Sequence, residues 1–161
     1  MKNLICVSAP SGSGKTTLCK HVREVQRELV WSVSYTTRSP RPNEVNGEDY
    51  YFISKDKFIS LKDDKKFAEC EEVHGQYYGT IKSKLDDAIN NKKTVLLELD
   101  VNGTISVRKL YPNHSYSIFI VPPSIEHLRK RLQNRGSETN EIIEKRLERF
   151  NREMEYKDQF D

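Results

Sequence analysis

A chain of 161 residues has room for one domain and little more. Its 27 Lys and Arg residues nearly balance its 24 Asp and Glu residues, and a net charge of +3 gives no general reason to expect binding to nucleic acid or to a membrane. Cys6, Cys19 and Cys70 form an odd set without a C-x-x-C pair, which argues against a disulfide framework and favours a reducing, cytoplasmic location.

The first predicted elements are a buried strand and the helix that follows it. Residues 4–7 form a short apolar run, and residues 9–14 form a Gly/Ser-rich turn. Apolar residues then recur at helical spacing, which predicts a helix over residues 15–29.

The same alternation returns in the second half of the chain. Residues 94–99 and 116–121 are predicted to be buried strands, with a short helix near residues 105–110 between them, and residues 30–34 are a further candidate strand. Strands that alternate with helices predict an α/β fold, in which a parallel sheet carries helices on both faces. The predicted core comprises residues 1–32 and 83–124.

Two segments depart from this pattern. Residues 33–82 contain short alternating runs, so we predict a small strand-rich insertion, which is a natural place for a second substrate. Residues 125–161 are predicted to be helical, with Ser124 capping a helix that ends at Gly136 and a last helix after it. One face of the last helix carries Ile143, Leu147, Phe150 and Met154.

The strongest chemical signal is the segment APSGSGKTT at residues 9–17. It matches the phosphate-loop pattern G-x-x-x-x-G-K-[ST], except that Ala9 stands at the first glycine. Glycines let successive backbone N–H groups point at one phosphate, and Lys15 and Thr16 would serve the β/γ-phosphates and Mg²⁺. The predicted ATP-binding residues are Ala9, Pro10, Ser11, Gly12, Ser13, Gly14, Lys15, Thr16 and Thr17.

A phosphate loop needs an acidic residue on a neighbouring strand to position Mg²⁺. Glu98 and Asp100 follow an apolar run and, being two residues apart, share one face of a strand. Thr16, Glu98 and Asp100 are therefore the predicted Mg²⁺ group, partly through water. The alternative is a pair of solvated carboxylates at a strand end.

Two clusters in the insertion could bind an acceptor. Arg38 and Arg41, stiffened by neighbouring prolines, present planar forks that suit a phosphate, although such a loop is commonly only basic surface. The acidic residues 69–72 are ordinarily a solvated face, yet one carboxylate facing a pocket could accept hydrogen bonds from the N1–H and 2-amino groups of guanine.

A third cluster consists of arginines on the two C-terminal helices. Phosphoryl transfer places charge on equatorial oxygens that arginines can stabilise, but helical spacing marks most of this cluster as surface residues. Its members are Arg129, Arg131, Arg135, Arg146, Arg149 and Arg152.

Taken together, these motifs resemble the guanylate kinases from residue 4 to residue 161. The matching segments are SAPSGSGKTT (8–17), SVSYTTRSPRPNEVNGEDYYF (32–52), EVHGQYYGT (72–80), LELDVNG (97–103), PPS (122–124), RLQNRG (131–136) and KRL (145–147). The resemblance implies a P-loop NTPase-type parallel sheet core, a GMP-binding insertion over residues 33–82 and a helical lid within residues 125–161. It also implies transfer of the γ-phosphoryl group of ATP to GMP with Mg²⁺ as cofactor, and dGMP is a further candidate acceptor.

The resemblance further implies roles for single residues. The implied GMP-binding residues are Ser34, Arg38, Arg41, Glu44, Tyr50, Glu69, Tyr78, Gly79, Thr80 and Asp100. Of these, Arg38, Arg41, Tyr50 and Tyr78 would hold the phosphate, and Ser34, Glu69, Thr80 and Asp100 would read guanine. The implied catalytic residues are Lys15, Arg38, Arg131, Arg135 and Arg146.

The chain departs from the family pattern in three places. Ala9 replaces a common glycine, and Glu98 stands where aspartate is usual. Guanylate kinases also continue past the position of Asp161, and the apolar face of the last helix has no later segment to cover it. We therefore expect the natural gene product to extend beyond Asp161, through an apolar strand that ends in Asn or Asp.

Two rival functions share much of this pattern. A protein-interaction module with the same fold typically loses the phosphate loop, so the intact Gly14, Lys15 and Thr16 argue against it. The second rival is a kinase for a phosphorylated sugar. A sugar phosphate has no guanine edge that could satisfy Glu69, which argues against this rival. The sequence leaves the oligomeric state open.

Overall fold

A computed structural model describes residues 2–10, 13–73, 75–134 and 140–161. Within these ranges strands and helices alternate along much of the chain. The elements are β1 (Leu4–Ser8), α1 (Lys15–Val25), β2 (Val30–Trp31), β3 (Tyr35–Thr36), β4 (Tyr51–Phe52), α2 (Lys55–Asp63), β5 (Phe67–Val73), β6 (Gln76–Ile81), α3 (Lys82–Asn90), β7 (Val95–Glu98), α4 (Val101–Leu110), β8 (Ser115–Phe119), α5 (Ile125–Asn134), α6 (Asn140–Met154) and a short 3-10 helix (Lys157–Gln159).

The core is a parallel sheet with strand order β2-β7-β1-β8. Successive side chains of β1 point to opposite faces. Leu4 and Cys6 pack with residues of α3 and α4 on one face, whereas Val7 packs with Cys19 of α1 on the other. Both faces are therefore covered by helices, and the predicted α/β fold is confirmed.

The two predicted core helices have different bounds in the structure. The first helix ends at Val25 rather than at residue 29, because the chain must turn so that Val30 and Trp31 can pair with β7. The helix predicted near residues 105–110 begins earlier, at Val101, since the Asp100 carboxylate accepts a hydrogen bond from the backbone N–H of Gly103 and caps its first turn.

The insertion forms a second sheet with strand order β4-β3-β6-β5. It also contains α2, which the sequence pattern did not predict and which Ser54 caps by accepting from the Lys57 backbone N–H. Phe58 of α2 stacks on Phe67 of β5, with ring centroids 4.5 Å apart. A Cβ at Gly79 would lie 2.9 Å from Phe67 and 3.1 Å from Phe58, so only glycine lets β6 pass this close to the aromatic pair.

The segments that connect the insertion to the core are short. On the way in, residues 32–34 separate β2 of the core sheet from β3 of the second sheet. On the way out, β6 ends at Ile81 and α3 begins at Lys82 with no residue between them. The second sheet is thus joined to the core by a three-residue segment and a direct strand–helix junction.

The C-terminal part is a pair of packed helices, α5 and α6. Ser124 accepts a hydrogen bond from the His127 backbone N–H, as predicted for the cap of α5, and Gly136 lies outside the described residues. The prediction that the apolar face of the last helix is uncovered was wrong. Ile143, Leu147 and Phe150 are 2%, 4% and 8% exposed, because they pack against buried leucines of α5.

No helix within the described ranges is both long enough and apolar enough to cross a membrane.

Candidate active site

The phosphate-loop segment connects the carboxyl end of β1 to the first turn of α1. Ala9 and Pro10 are buried, the Ser13 backbone N–H donates to the Pro10 carbonyl at 3.1 Å, and Gly14 has φ 93° at the N-terminus of α1. Among the described residues, the non-glycine positions with positive φ are Lys65 and Lys92, so Ala9 fits without backbone strain. Ser11 and Gly12 lie outside the described residues.

The side chains of the loop reach the end of the neighbouring strand β7. The Thr16 hydroxyl donates to Glu98 Oε1 at 2.5 Å. Lys15 Nζ donates to the Leu99 carbonyl at 2.6 Å and lies 4.0 Å from Glu98 Oε1. The parallel pairing of β1 with β7 produces this contact, because it places both carboxyl ends at one edge of the sheet.

The Thr16–Glu98 pair fits the preference of Mg²⁺ for oxygen ligands. Within the described ranges, no group of three or more His, Cys, Asp or Glu side chains is placed to hold a metal ion. Mg²⁺ at nucleotide sites usually takes one or two protein ligands and completes its shell with phosphates and water. The pair therefore suits a magnesium ion that arrives with a nucleotide.

The guanidinium of Arg38 forms a bidentate ion pair with the carboxylate of Glu44. Its two terminal nitrogens donate to the two carboxylate oxygens at 2.9 Å and 2.8 Å, and it also donates to the phenol oxygen of Tyr78. Its guanidinium carbon lies 5.5 Å from the ring centroid of Tyr50. Burial works to raise the pKa of Glu44, but hydrogen bonds from Arg38 and from the Arg41 backbone bring that pKa below its ordinary value. The Arg41 side chain is 74% exposed.

Glu69 is a buried carboxyl, only 7% exposed. It faces Thr80 across the β5–β6 pair, and Thr80 donates to it from both side chain and backbone. The pKa of Glu69 is raised to about 7, chiefly by burial and also by the charges of Asp100 and Glu71, while hydrogen bonds from Thr80 oppose the rise. The Ser34 and Thr80 hydroxyls are 3.5 Å apart, so three predicted guanine-reading residues lie together.

Asp100 lies on the Glu69 side of the site. A Cβ at Gly103 would be 3.0 Å from Glu69 Oε2 and 3.1 Å from Asp100 Oδ1, so the two carboxylates converge over this glycine. The sequence prediction placed Glu98 and Asp100 in one Mg²⁺ group. In the structure Glu98 contacts Thr16, whereas the side chain of Asp100 contacts the Gly103 N–H and faces Arg149. The two acids diverge because β7 ends at Glu98 and Asp100 caps α4.

The predicted arginines of the helical pair are only partly described. Arg131 and Arg146 lie within α5 and α6, but their side chains are outside the described part of the structure, as is the whole of residue 135. Their proposed contacts with ATP stay predictions. So does the GMP contact of Gly79, whose close packing on Phe67 already explains the glycine.

Sequence reasoning missed two contacts that border the site. Lys20 Nζ of α1 lies 3.1 Å from Asp49 Oδ1, which ties the loop before β4 to the core. Arg149 Nη2 of α6 lies 3.7 Å from Asp100 Oδ2. No local pattern marks either pair, because the partners are far apart in the sequence.

Comparisons with known proteins agree with this geometry. The family model described as guanylate kinase matches residues 1–161. A guanylate kinase from Trichormus variabilis is 45% identical over 158 residues, covering 98% of this chain and 79% of the relative. One from Geobacter metallireducens is 46% identical over 145 residues, covering 90% of this chain and 71% of the relative.

A solved structure shows the same fold. The crystal structure of guanylate kinase from Anaplasma phagocytophilum superposes with a TM-score of 0.80 at 31% identity, over 99% of this chain and 74% of that one. The family match, the close relatives and the shared architecture lead to one conclusion: the chain belongs to the guanylate kinase family.

Proposed function

We propose that the chain is an active guanylate kinase, which transfers the γ-phosphoryl group of ATP to GMP and releases ADP and GDP. One observation supports this above the others. A phosphate loop with Lys15 and Thr16 at the core-sheet edge accompanies an insertion in which Arg38 is pre-oriented and Glu69 is buried. The chain therefore has one set of side chains suited to a phosphate donor and another suited to an acceptor that carries guanine.

On the donor side, the residues of the loop supply positive charge and backbone N–H groups. Lys15 would leave the Leu99 carbonyl to contact the β/γ-phosphates, where it compensates charge that grows in the transition state. Thr16 and Glu98 would hold Mg²⁺, which neutralises charge on the phosphate oxygens when it is bound. Arg131, Arg135 and Arg146 are proposed to complete this environment from the helical pair, which would act as a lid.

On the acceptor side, the residues of the insertion, together with Asp100 of the core, bind and orient GMP. Arg38, Arg41, Tyr50 and Tyr78 would hold its phosphate, with Glu44 fixing the Arg38 fork. Ser34, Glu69, Thr80 and Asp100 would read guanine, because carboxylates accept the N1–H and 2-amino hydrogens that adenine cannot offer as a pair. The GMP phosphate is itself the nucleophile, so orientation rather than a general base drives the step. We also propose a cytoplasmic location, supported by the three free cysteines.

The test is an ADP-release assay that compares GMP, dGMP, AMP, UMP and CMP as acceptors under the same conditions with Mg²⁺ and ATP. We expect kcat/KM for GMP to exceed that for AMP by at least about 10⁴-fold, as for sites that hydrogen-bond a substrate edge. Comparable rates for AMP and GMP would contradict the assignment of the acceptor. No ADP release with any acceptor, from a folded protein, would instead favour the catalytically dead interaction module.

A further inference from the structure

Arg149 of α6 has a guanidinium placed between two carboxylates. Its Nε donates to Glu153 Oε1 at 2.6 Å, and its Nη2 lies 3.7 Å from Asp100 Oδ2. The side chains of Arg149 and Asp100 are 27% and 22% exposed, so the pair is largely withdrawn from solvent. The Glu153 bond orients the guanidinium, which leaves its other edge facing Asp100.

Asp100 has little freedom once Arg149 is in place. Its Oδ1 accepts from the Gly103 backbone N–H at 2.8 Å, and its Oδ2 is the oxygen that faces Arg149. Each oxygen of this carboxylate thus has a partner, and Asp100 Oδ1 and Glu69 Oε2 both lie close to Gly103. Glu71 is a third acid in this region. Burial and the charge of Asp100 raise its pKa, whereas a hydrogen bond with Asn102 and the charge of Arg149 work to lower it. Three acids in a small volume repel one another, so a nearby cation favours their ordered arrangement.

We propose that Arg149 is a positioning residue for base recognition, which holds Asp100 so that its carboxylate can accept the 2-amino group of a purine monophosphate. The inference rests on the proposed function, because it assumes that Glu69 and Asp100 face the acceptor base. It extends that function by giving a role to a residue of α6, outside the insertion. It also links the helical pair to the acceptor site through a single side chain.

The simpler reading is that Arg149 is one more surface arginine at helical spacing. Exposed ion pairs contribute little to stability, so a merely surface role predicts no change in ligand binding when Arg149 is removed. A positioning role predicts a change confined to ligands that carry a 2-amino group. GMP and IMP make this comparison directly, since they share phosphate, ribose and N1–H and differ only in that group.

The experiment measures the affinities of GMP and IMP by calorimetry for the full chain and for Arg149→Ala, Arg149→Lys and Arg152→Ala. Arg152 is the matched control, because it lies on the same helix and is exposed. We expect Arg149→Ala to weaken GMP binding by about threefold to tenfold, the scale of a partly shielded ion pair, while IMP changes by less than about twofold. Arg149→Lys should recover part of the loss, and Arg152→Ala should change neither affinity.

Equal losses for GMP and IMP, or no loss for either, would overturn the inference. A double-mutant cycle with Asp100→Asn sharpens it, because Asn is as good a helix cap and the fold is retained. In that background Arg149→Ala should not change the GMP/IMP ratio further, and an additive change would show that Arg149 does not act through Asp100. Turnover is measured separately in the ADP-release assay. A chain that binds GMP without phosphorylating it would contradict the proposed function. The GMP and IMP affinities of the variants would still test the positioning role of Arg149.

Discussion

The donor edge of the core and the acceptor insertion are organised in different ways. At the donor edge, Lys15 and Thr16 have isolated contacts with the end of β7, and the loop geometry comes from the backbone. In the insertion, the single side chain of Arg38 makes a bidentate ion pair with Glu44, donates to the Ser39 carbonyl and lies over two aromatic rings. Lys15 and Thr16 are proposed to exchange these contacts for a nucleotide, whereas Arg38 of the proposed acceptor site is already held in place.

This difference indicates where specificity and rate should reside. A pre-oriented acceptor site discriminates between bases before chemistry, because a wrong base leaves buried polar groups unpaired. A donor loop that gains its contacts only when phosphates arrive affects mainly the transition state. Substitutions in the two regions should therefore divide between kcat and acceptor selectivity, and the following experiments test that division.

The largest effect is expected for Lys15→Ala. Loss of a cation that compensates transition-state charge should lower kcat by at least about 100-fold, with little change in the KM for GMP. The measurement is the ADP-release assay together with a thermal melt that shows the fold intact. A variant that kept more than about a tenth of wild-type kcat would refute the role of the loop, since a tenfold loss is only about 1.4 kcal/mol.

Glu69→Gln should damage selectivity most. A carboxylate accepts from two guanine donors, whereas an amide accepts with one atom and presents an unwanted donor with the other. We expect kcat/KM for GMP to fall about 100-fold and the GMP/AMP ratio to fall with it. Glu72→Gln is the matched control, because Glu72 lies on the same strand and is exposed. An unchanged GMP/AMP ratio in Glu69→Gln would place this carboxyl outside the base pocket.

Arg38→Met and Arg41→Met should weaken GMP use unequally. Loss of a charge-assisted contact costs about 2 kcal/mol, so we expect the KM for GMP to rise roughly 30-fold for Arg38. Arg41 is 74% exposed, and its loss should be closer to about tenfold. The KM for ATP should change little in both variants. Equal increases in both KM values would mean that these arginines do not mark the acceptor site.

The smallest effect concerns stability and pH. The pKa of Glu69 in the folded chain is about 7, above the ordinary value of 4.5, so the native state binds more protons than the unfolded state between these values. The contribution of Glu69 to stability should therefore fall as pH rises above about 4.5, and the part of that fall between roughly pH 6 and pH 8 is about 1 kcal/mol. Urea unfolding of the wild type and of Glu69→Gln tests this. The variant lacks the titrating group, and an identical fall in both proteins would contradict the assignment.

Features carried by contiguous residues could be predicted from the sequence. The strand–turn–helix of residues 4–25 needs only a local apolar run, glycines and helical spacing, and its type was correct. The end of α1 was misplaced because Leu29 continues the helical spacing, while pairing of Val30 with β7 forces the turn. That pairing is tertiary, and local propensity does not report it.

Features that depend on distant pairing were predicted less well. The helix α2 has a Ser54 cap, but Phe52 before it and Phe58 within it have an even spacing that also suits short strands. The covering of Ile143 and Leu147 by α5 could not be inferred, since an amphipathic helix does not identify its partner. The split between Glu98 and Asp100 was missed for a similar reason. A period of two holds only while the strand lasts, and β7 ends at Glu98.

The direct junction between β6 and α3 has a mechanical consequence. A body joined to another by two short covalent crossings can turn about the line through them, but it can hardly slide or twist otherwise. The crossings here are the segment 32–34 and the Ile81–Lys82 peptide. Any movement of the second sheet toward the phosphate loop is therefore close to a rotation about the single axis through these two crossings. Such a rotation would carry Arg38 and Glu69 together, while Asp100 would stay with the core.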